Sequence, residues 1–166
     1  MIKDSLSIKA KNIKLIGTDI DGVWTDAKMY FSSEGEQIKA FSTYDGMATK
    51  LLKEKGIIVA ILTGENSDIV SARAKKLKID EVYLDEQYKL KRIIYLAEKY
   101  NLTLDEIAFI GDDINDLDVL KNVGLSAIVC NSPILDQFMP DYITTRVGGD
   151  GAFREFSDKI IQAKTD

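Results

Sequence analysis

Short apolar runs alternate with amphipathic stretches along most of this 166-residue chain. Five runs predict buried strands, at residues 13–20, 57–62, 81–84, 107–110 and 125–129. The intervening and final stretches repeat apolar residues at the i, i+3, i+4 spacing of helices, at residues 46–55, 67–78, 88–100, 115–122 and 150–163. This alternation predicts an α/β fold: a doubly wound, mainly parallel, Rossmann-like sheet with helices on both faces.

One segment departs from the alternation. Residues 28–42 form two short runs around Ser32-Ser33-Glu34-Gly35, which predicts a projecting β-hairpin flap rather than a crossover helix. Its apolar side chains would be an aggregation hazard in a monomer, so we expect the flap to pair with copies of itself: Met29, Tyr30, Phe31, Ile38 and Phe41. Because no repeat or proline-rich linker interrupts the chain, residues 1–166 are expected to form a single domain.

Composition removes several kinds of chemistry. The chain has no histidine and one cysteine, which excludes a Ser-His-Asp triad, a histidine general base and a cysteine-rich or histidine-containing zinc site. The net charge of -5 argues against non-specific nucleic-acid binding, so no nucleic-acid partner is expected. The polar N-terminal segment and the lack of a long apolar run predict neither a signal peptide nor a membrane span, and a cytoplasmic location is expected.

Four polar groups fall where strands are predicted to end, which is where open α/β sheets bind ligands. The first is Asp19 and Asp21 with Gly22, two carboxylates on one side of an extended segment. The second is Thr63-Gly64, whose hydroxyl and following amides could hold a phosphate oxygen. Lys89 comes next, and then a cluster at residues 111–116. Carboxylates packed this closely repel one another, which indicates a hard cation such as Mg²⁺.

Each group also has an ordinary structural explanation: an Asx turn, a strand-ending turn, a surface lysine and an acidic helix cap. The order of the four is more specific, because it resembles the haloacid dehalogenase superfamily of phosphatases over essentially the whole chain. A response-regulator receiver uses similar residue types, but its acidic cluster precedes the threonine and lysine. Here the second acidic cluster, Asp112-Asp113 with Asn115-Asp116, follows them.

The resemblance implies a division of labour among these residues. Asp19 is the expected nucleophile, forming an aspartyl-phosphate, and Asp21 is the expected general acid and base. Mg²⁺ would be held by the Asp19 carboxylate, the Asp21 carbonyl and Asp112. Thr63, Gly64 and Lys89 would bind the phosphoryl group. Asp113 would support the metal indirectly. Asn115 and Asp116 would orient Lys89.

The spacing leaves no room for a cap domain, since 43 residues separate Asp19 from Thr63 and 25 separate Thr63 from Lys89. A capless form with a hairpin resembles the subfamily that dephosphorylates 2-keto-3-deoxy sugar acids, and the flap then implies a homotetramer. The tail segment at residues 148–155 also resembles that subfamily, in which it lies by the site entrance. Arg154 is therefore a candidate contact for the sugar carboxylate.

The subfamily contains phosphatases for eight-carbon and for nine-carbon substrates, 3-deoxy-D-manno-octulosonate 8-phosphate and N-acylneuraminate (or deaminated neuraminate) 9-phosphate. Glu65 with Arg73 and Lys76, on one predicted helix face, resembles the nine-carbon enzymes, as does Trp24-Thr25. The sequence therefore favours a nine-carbon sugar-acid phosphate, with the eight-carbon substrate as the alternative. A catalytically silent sugar-phosphate-binding or oligomerisation module is a further alternative, which the intact Asp19, Asp21 and Lys89 argue against.

Overall fold

The computed structural model describes residues 2–165, and the side chains of residues 5–165. In chain order its elements are α1 (Ile2–Asn12), β1 (Leu15–Thr18), β2 (Tyr30–Ser32), β3 (Gly35–Ile38), α2 (Thr43–Glu54), β4 (Ile58–Leu62), α3 (Asp68–Leu77), β5 (Glu81–Tyr83), α4 (Lys89–Tyr100), β6 (Ile107–Gly111), α5 (Leu117–Leu120), β7 (Leu125–Ile128), β8 (Tyr142–Ile143) and α6 (Ala152–Ala163). Short 3-10 turns, Leu104–Glu106 and Ile114–Asp116, precede β6 and α5.

Six strands form one parallel sheet in the order β5-β4-β1-β6-β7-β8. β1 lies near the centre, between β4 and β6, and its residue Thr18 is in register with Ile61 and Ile110. The remaining two strands, β2 and β3, pair antiparallel as a separate hairpin. The predicted fold class is confirmed.

Successive apolar side chains of β1 point to opposite faces of the sheet and pack in two separate cores, one on each face. Ile16 packs in a core that also includes Trp24 and side chains of α1, α2, α3 and α6. Leu15 packs in a second core, with Phe109 and side chains of α4 and α5. Burying each such side chain stabilises the fold by roughly 1.5–3 kcal/mol. Within residues 2–165, no helix is long and apolar enough to cross a membrane.

Two elements were missed by the sequence patterns. The N-terminal segment is too weakly amphipathic to predict a helix, yet α1 forms and packs on the central core through Leu6 and Ala10. The two-residue strand β8 is too short to show a periodicity. Beside it, the Asp141 carboxylate accepts hydrogen bonds from the Ser126 amide and hydroxyl, and the Asp141 amide donates to the Ser126 hydroxyl oxygen, which helps to join β8 to β7. Tertiary contacts, not local pattern, therefore define both elements.

The hairpin forms where it was expected, but one of its apolar residues is elsewhere. Four side chains are 43–72% exposed and make up what we call the hairpin patch: Met29, Tyr30, Phe31 and Ile38. Phe41 is not part of this patch, because it packs on the core and lies 5.6 Å from the Arg73 guanidinium. The expectation that Phe41 belongs to the exposed surface was wrong, since the chain has already turned back toward the sheet there.

Candidate active site

The central strands β1 and β6 bring the two acidic motifs together. Each strand ends one residue before an aspartate, and the Asp19 amide donates to the Ile110 carbonyl across the two strand ends at 3.1 Å. Gly22 closes the first loop with a φ of 91°, and a Cβ there would lie 1.9 Å from Asp112 Oδ2. A side chain at position 22 would therefore push the Asp112 carboxylate away from the Asp19 loop.

A buried lysine joins the two motifs. Lys89, the first residue of α4, is 3% exposed, and its Nζ lies 2.8 Å from Asp19 Oδ2 and 2.7 Å from Asp116 Oδ1. The other Asp116 oxygen accepts the amides of Asp112 at 2.9 Å and Asp113 at 3.4 Å. Asp116 thus contacts Lys89 as the sequence suggested. Asn115 is exposed and has no described contact with that lysine, so its role stays a prediction.

Negative charge outweighs positive charge in this cluster. Asp19, Asp112 and Asp116 each offer an oxygen within 4.8 Å of the others, and only Lys89 is paired with them among the described residues. Burial, followed by the Asp116 charge, raises the pKa of Asp19 to about 7 despite the opposing effect of Lys89. Burial and the charges of Asp19, Asp116 and Asp113 raise the pKa of Asp112 to about 8. A cation bound here would relieve this repulsion.

The three carboxylates are not equally free to bind a cation. Asp19 and Asp116 each have one oxygen paired with Lys89 and the other accepting backbone amides, whereas the Asp112 carboxylate accepts no hydrogen bond from any described residue. This all-oxygen donor set fits a hard cation, and Asp112 is its least engaged carboxylate, while ligation by Asp19 stays a prediction. Asp113 is exposed and caps the following 3-10 turn by accepting the Ile114 amide at 2.7 Å, so an indirect supporting role remains a prediction.

Thr63 lies at the same edge of the sheet, directly after β4. Its side chain is buried and its hydroxyl oxygen accepts the Glu65 amide at 3.2 Å, while its own amide donates to the Tyr83 carbonyl. Gly64 follows, half-buried. Because β4 and β6 flank β1, Thr63 reaches the carboxyl edge beside Asp19. Phosphate binding by Thr63 and Gly64 stays a prediction.

Sequence reasoning missed a lysine in this site. The Lys39 side chain has no exposed surface, and its Nζ lies 2.5 Å from Asp21 Oδ1 and 2.6 Å from Glu36 Oε1. Burial lowers the pKa of Lys39, but hydrogen bonds to both carboxylates raise it above its ordinary value overall. It was overlooked because the hairpin was treated as an exposed flap. The available signal was its position between two apolar residues, Ile38 and Ala40, because successive side chains of a strand point to opposite faces.

A serine beyond β7 was also missed. Ser132 is buried, and its hydroxyl donates to the Asp112 carbonyl at 2.5 Å. This contact fixes the backbone that carries the Asp112 carboxylate. No motif spacing indicates it, because the two residues are 20 positions apart and meet only through the pairing of β6 with β7.

The tail segment lies against the loop that carries the first aspartates. The Gly149 amide donates to the Val23 carbonyl at 3.0 Å. Asp45, at the start of α2, accepts the Arg154 amide at 2.8 Å and so caps α6. The Arg154 side chain pairs with Asp158 on its own helix, with Nε and Oδ1 2.8 Å apart. A substrate contact by Arg154 stays a prediction.

The three residues that favoured a nine-carbon substrate do not share one open face. Glu65 and Lys76 are exposed or partly exposed, but Arg73 is half-buried and turns toward α2, where its Nη2 donates to the Ser42 carbonyl at 3.4 Å. The chain just before α2 occupies that side of α3. Roles for these three in substrate binding remain predictions.

The fold and the acidic cluster together define a class of protein. The family profile of haloacid dehalogenase-like hydrolases matches residues 29–124, and the chain belongs to this family. The 3-deoxy-D-manno-octulosonate 8-phosphate phosphatase of Haemophilus influenzae is 38% identical over 94% of this chain and 87% of its own. The Escherichia coli K12 phosphatase of the same name is 36% identical over 94% of this chain and 83% of its own.

Solved structures agree. The octulosonate 8-phosphate phosphatase of Moraxella catarrhalis, crystallised with magnesium, phosphate and KDO, superposes with a TM-score of 0.93 at 38% identity, covering 98% of this chain and 93% of that one. A subfamily III A hydrolase from Legionella pneumophila gives a TM-score of 0.94 at 38% identity, covering 99% and 90%. These relatives do not support the nine-carbon preference drawn from Glu65, Arg73 and Lys76; they favour the eight-carbon alternative.

Proposed function

We propose that this protein is a Mg²⁺-dependent phosphomonoesterase that hydrolyses 3-deoxy-D-manno-octulosonate 8-phosphate through an aspartyl-phosphate. The observation that carries the proposal is the Asp19 carboxylate, buried between the Lys89 ammonium and the Asp112 carboxylate in a chain related over most of its length to phosphatases of that name. A buried cluster with excess negative charge suits a site that binds a cation and a phosphoryl group together.

In the first step, an Asp19 oxygen forms a bond to phosphorus while the bond from phosphorus to the sugar oxygen breaks. Asp21 gives its proton to that departing oxygen, so that the sugar leaves as an alcohol. Lys89 faces Asp19 Oδ2 and can offset negative charge on the phosphoryl oxygens, and Thr63 offers a hydroxyl from the neighbouring strand end.

In the second step, Asp21 takes a proton from water, the water oxygen bonds to phosphorus, and the bond to Asp19 breaks. Phosphate leaves and both carboxylates return to their initial state. Bound Mg²⁺ would supply positive charge to the phosphoryl oxygens and neutralise the carboxylates, held by the Asp19 carboxylate, the Asp21 carbonyl and Asp112. Asp116 keeps Lys89 beside the nucleophile.

The proposal is tested by phosphate release from purified protein with and without Mg²⁺. The panel contains octulosonate 8-phosphate, neuraminate 9-phosphate, simple sugar phosphates and p-nitrophenyl phosphate. The expected result is Mg²⁺-dependent turnover with the highest kcat/KM on the eight-carbon substrate. A higher kcat/KM on the nine-carbon substrate would restore the first interpretation of Glu65, Arg73 and Lys76. No turnover of any ester would instead favour a binding or oligomerisation module.

We also propose a homotetramer assembled through the hairpin patch. The support is the exposure of four apolar side chains on a projecting hairpin in a fold that has no inserted cap between its motifs to cover the site. Light scattering should give a tetramer for the parent and smaller species for a Phe31→Asp, Ile38→Asp variant. A fully active monomeric parent would contradict the proposal.

A further inference from the structure

A chain of polar contacts runs from the hairpin into the site. The Ser67 hydroxyl, at the N-terminus of α3, donates to Glu36 Oε2 at 2.8 Å. The other Glu36 oxygen lies 2.6 Å from Lys39 Nζ, which lies 2.5 Å from Asp21 Oδ1. Four residues from three separate segments are thereby joined beside the candidate site. We call them the hairpin clasp: Asp21, Glu36, Lys39 and Ser67.

The two Asp21 carboxylate oxygens differ in their hydrogen bonding within the hairpin clasp. Oδ1 is paired with Lys39, whereas Oδ2 is buried and has no hydrogen-bond partner among the described residues. A buried carboxylate oxygen without a partner is costly, so its retention needs an explanation. The contact with Lys39 restricts rotation of the carboxylate and leaves Oδ2 without a donor, so that this oxygen is the one able to carry a proton.

Lys39 is buried between two carboxylates, one of which belongs to the candidate site. Its side chain has no exposed surface, so it is not an ordinary surface lysine of the hairpin. Two carboxylates surround one ammonium, and removing the ammonium would leave both uncompensated in a buried setting. Lys28, close to the hairpin on the N-terminal side, offers the contrast: its side chain is 74% exposed and pairs with Asp26 at the surface.

We propose that Lys39 is a positioning residue for the phosphatase reaction: it holds the Asp21 carboxylate in the orientation for proton transfer and ties that orientation to the seating of the hairpin. This inference rests on the proposed function, in which Asp21 protonates the departing oxygen. Lys39 itself touches neither phosphorus nor the departing oxygen. Its loss should therefore slow those steps that need a proton from Asp21 and spare a step that needs none.

The test compares two kinds of ester in Lys39→Met, Lys39→Arg and the control Lys28→Met, each saturated with Mg²⁺. An alkyl sugar phosphate has a poor leaving group that needs protonation, whereas p-nitrophenolate leaves without it. For Lys39→Met we expect kcat on the best sugar phosphate to fall roughly 100-fold with little change in KM. Release of p-nitrophenolate in the first turnover should keep the parent rate, with a slower steady state because Asp21 also activates water.

Lys39→Arg should recover at least about tenfold of the lost kcat, since a guanidinium can still donate to both carboxylates. Lys28→Met should match the parent on both esters. Equal losses on the two esters in the first turnover, or a change confined to KM, would overturn the proposal and leave Lys39 as a structural anchor of the hairpin. A parent that hydrolyses only esters other than octulosonate 8-phosphate would refute that substrate but not Lys39 positioning. A parent inactive on every ester would overturn both.

Discussion

Buried carboxylates at two places in this sheet have pKa values that shift in opposite directions. At the carboxyl ends of β1 and β6, Lys89 pairs with Asp19 and Asp116 but not with Asp112. Burial and mutual repulsion raise the pKa of Asp19 to about 7 and that of Asp112 to about 8. On the edge strand β5, burial also raises the pKa of Glu81, but donation from Lys99 and two tyrosine hydroxyls holds it below its ordinary value.

The two sites differ in the donors and in the like charges around each carboxylate. Glu81 is 5% exposed and Asp112 is 9% exposed, so both carboxylates are removed from water to a similar degree. Glu81 receives three donors within the protein, whereas the Asp112 carboxylate receives none from the described residues. A buried carboxylate with enough donors stabilises the fold, while a cluster with excess negative charge suits the binding of a ligand of opposite charge.

The largest expected effect comes from Asp19→Asn. An amide cannot form the aspartyl-phosphate, so turnover should fall at least about a thousandfold. The substitution also removes a charge from a repulsive cluster, so the metal-free protein should unfold at the same or a higher temperature. Phosphate-release kinetics and calorimetry check the two expectations. Asp118→Asn, at an exposed aspartate on α5, is the matched control and should behave as the parent. A folded Asp19→Asn protein with near-normal Mg²⁺-dependent turnover would refute the mechanism.

Asp112→Asn should weaken Mg²⁺ binding rather than the fold. Outer contacts of metal ligands cost about 10- to 100-fold in affinity when lost, so a direct ligand should cost at least about 100-fold. Titration calorimetry measures this, and thermal unfolding without divalent ions should show a higher midpoint for the variant because repulsion is relieved. Asp113→Asn should cause a smaller loss of affinity. Equal losses for the two variants would mean that Asp112 is not the ligand.

The residues that follow buried strands were predictable, and those that complete the site were not. Asp19, Thr63 and Asp112 come directly after apolar runs, so their shared sheet edge follows from parallel topology alone. Lys39 and Ser132 reach the site from 18 and 20 positions away through contacts that no periodicity encodes. Arg73 is a similar case, since it packs on a neighbouring segment that helix geometry alone cannot reveal.

Asp45 is intermediate between Glu81 and Asp112, because only one of its two carboxylate oxygens has a described donor. Its Oδ1 accepts the Arg154 amide while Oδ2 is buried without a described partner, and burial raises its pKa to about 6. The folded state therefore binds a proton more tightly than the unfolded chain, whose ordinary aspartate pKa is 3.8. Stability is consequently lost as pH rises from about 4 to about 6, by about 3 kcal/mol.

Asp45→Asn should remove this pH-dependent loss. Urea unfolding at several pH values, with parent and variant under the same metal-free conditions, isolates the contribution of Asp45 because Asp19 and Asp112 titrate in both proteins. The parent's free energy of unfolding should fall relative to the variant's between pH 4 and 6 and run parallel above that range. Parallel curves throughout would show that Asp45 is ionised normally in the fold.

The smallest effect is expected for Glu81→Gln, the balanced counterpart of Asp112→Asn. The substituted amide keeps an oxygen for one tyrosine hydroxyl but leaves Lys99 without its anion and the remaining tyrosine hydroxyl without a charged acceptor. The free energy of unfolding should fall by about 1–3 kcal/mol, as expected for weakened buried hydrogen bonds. Kinetics in saturating Mg²⁺ should be unchanged, because none of these contacts reaches the carboxyl edge of β1 or β6. Stabilisation by Glu81→Gln would contradict this comparison. It would mean that the charged form of Glu81, like that of Asp112, is destabilised by its surroundings in the fold.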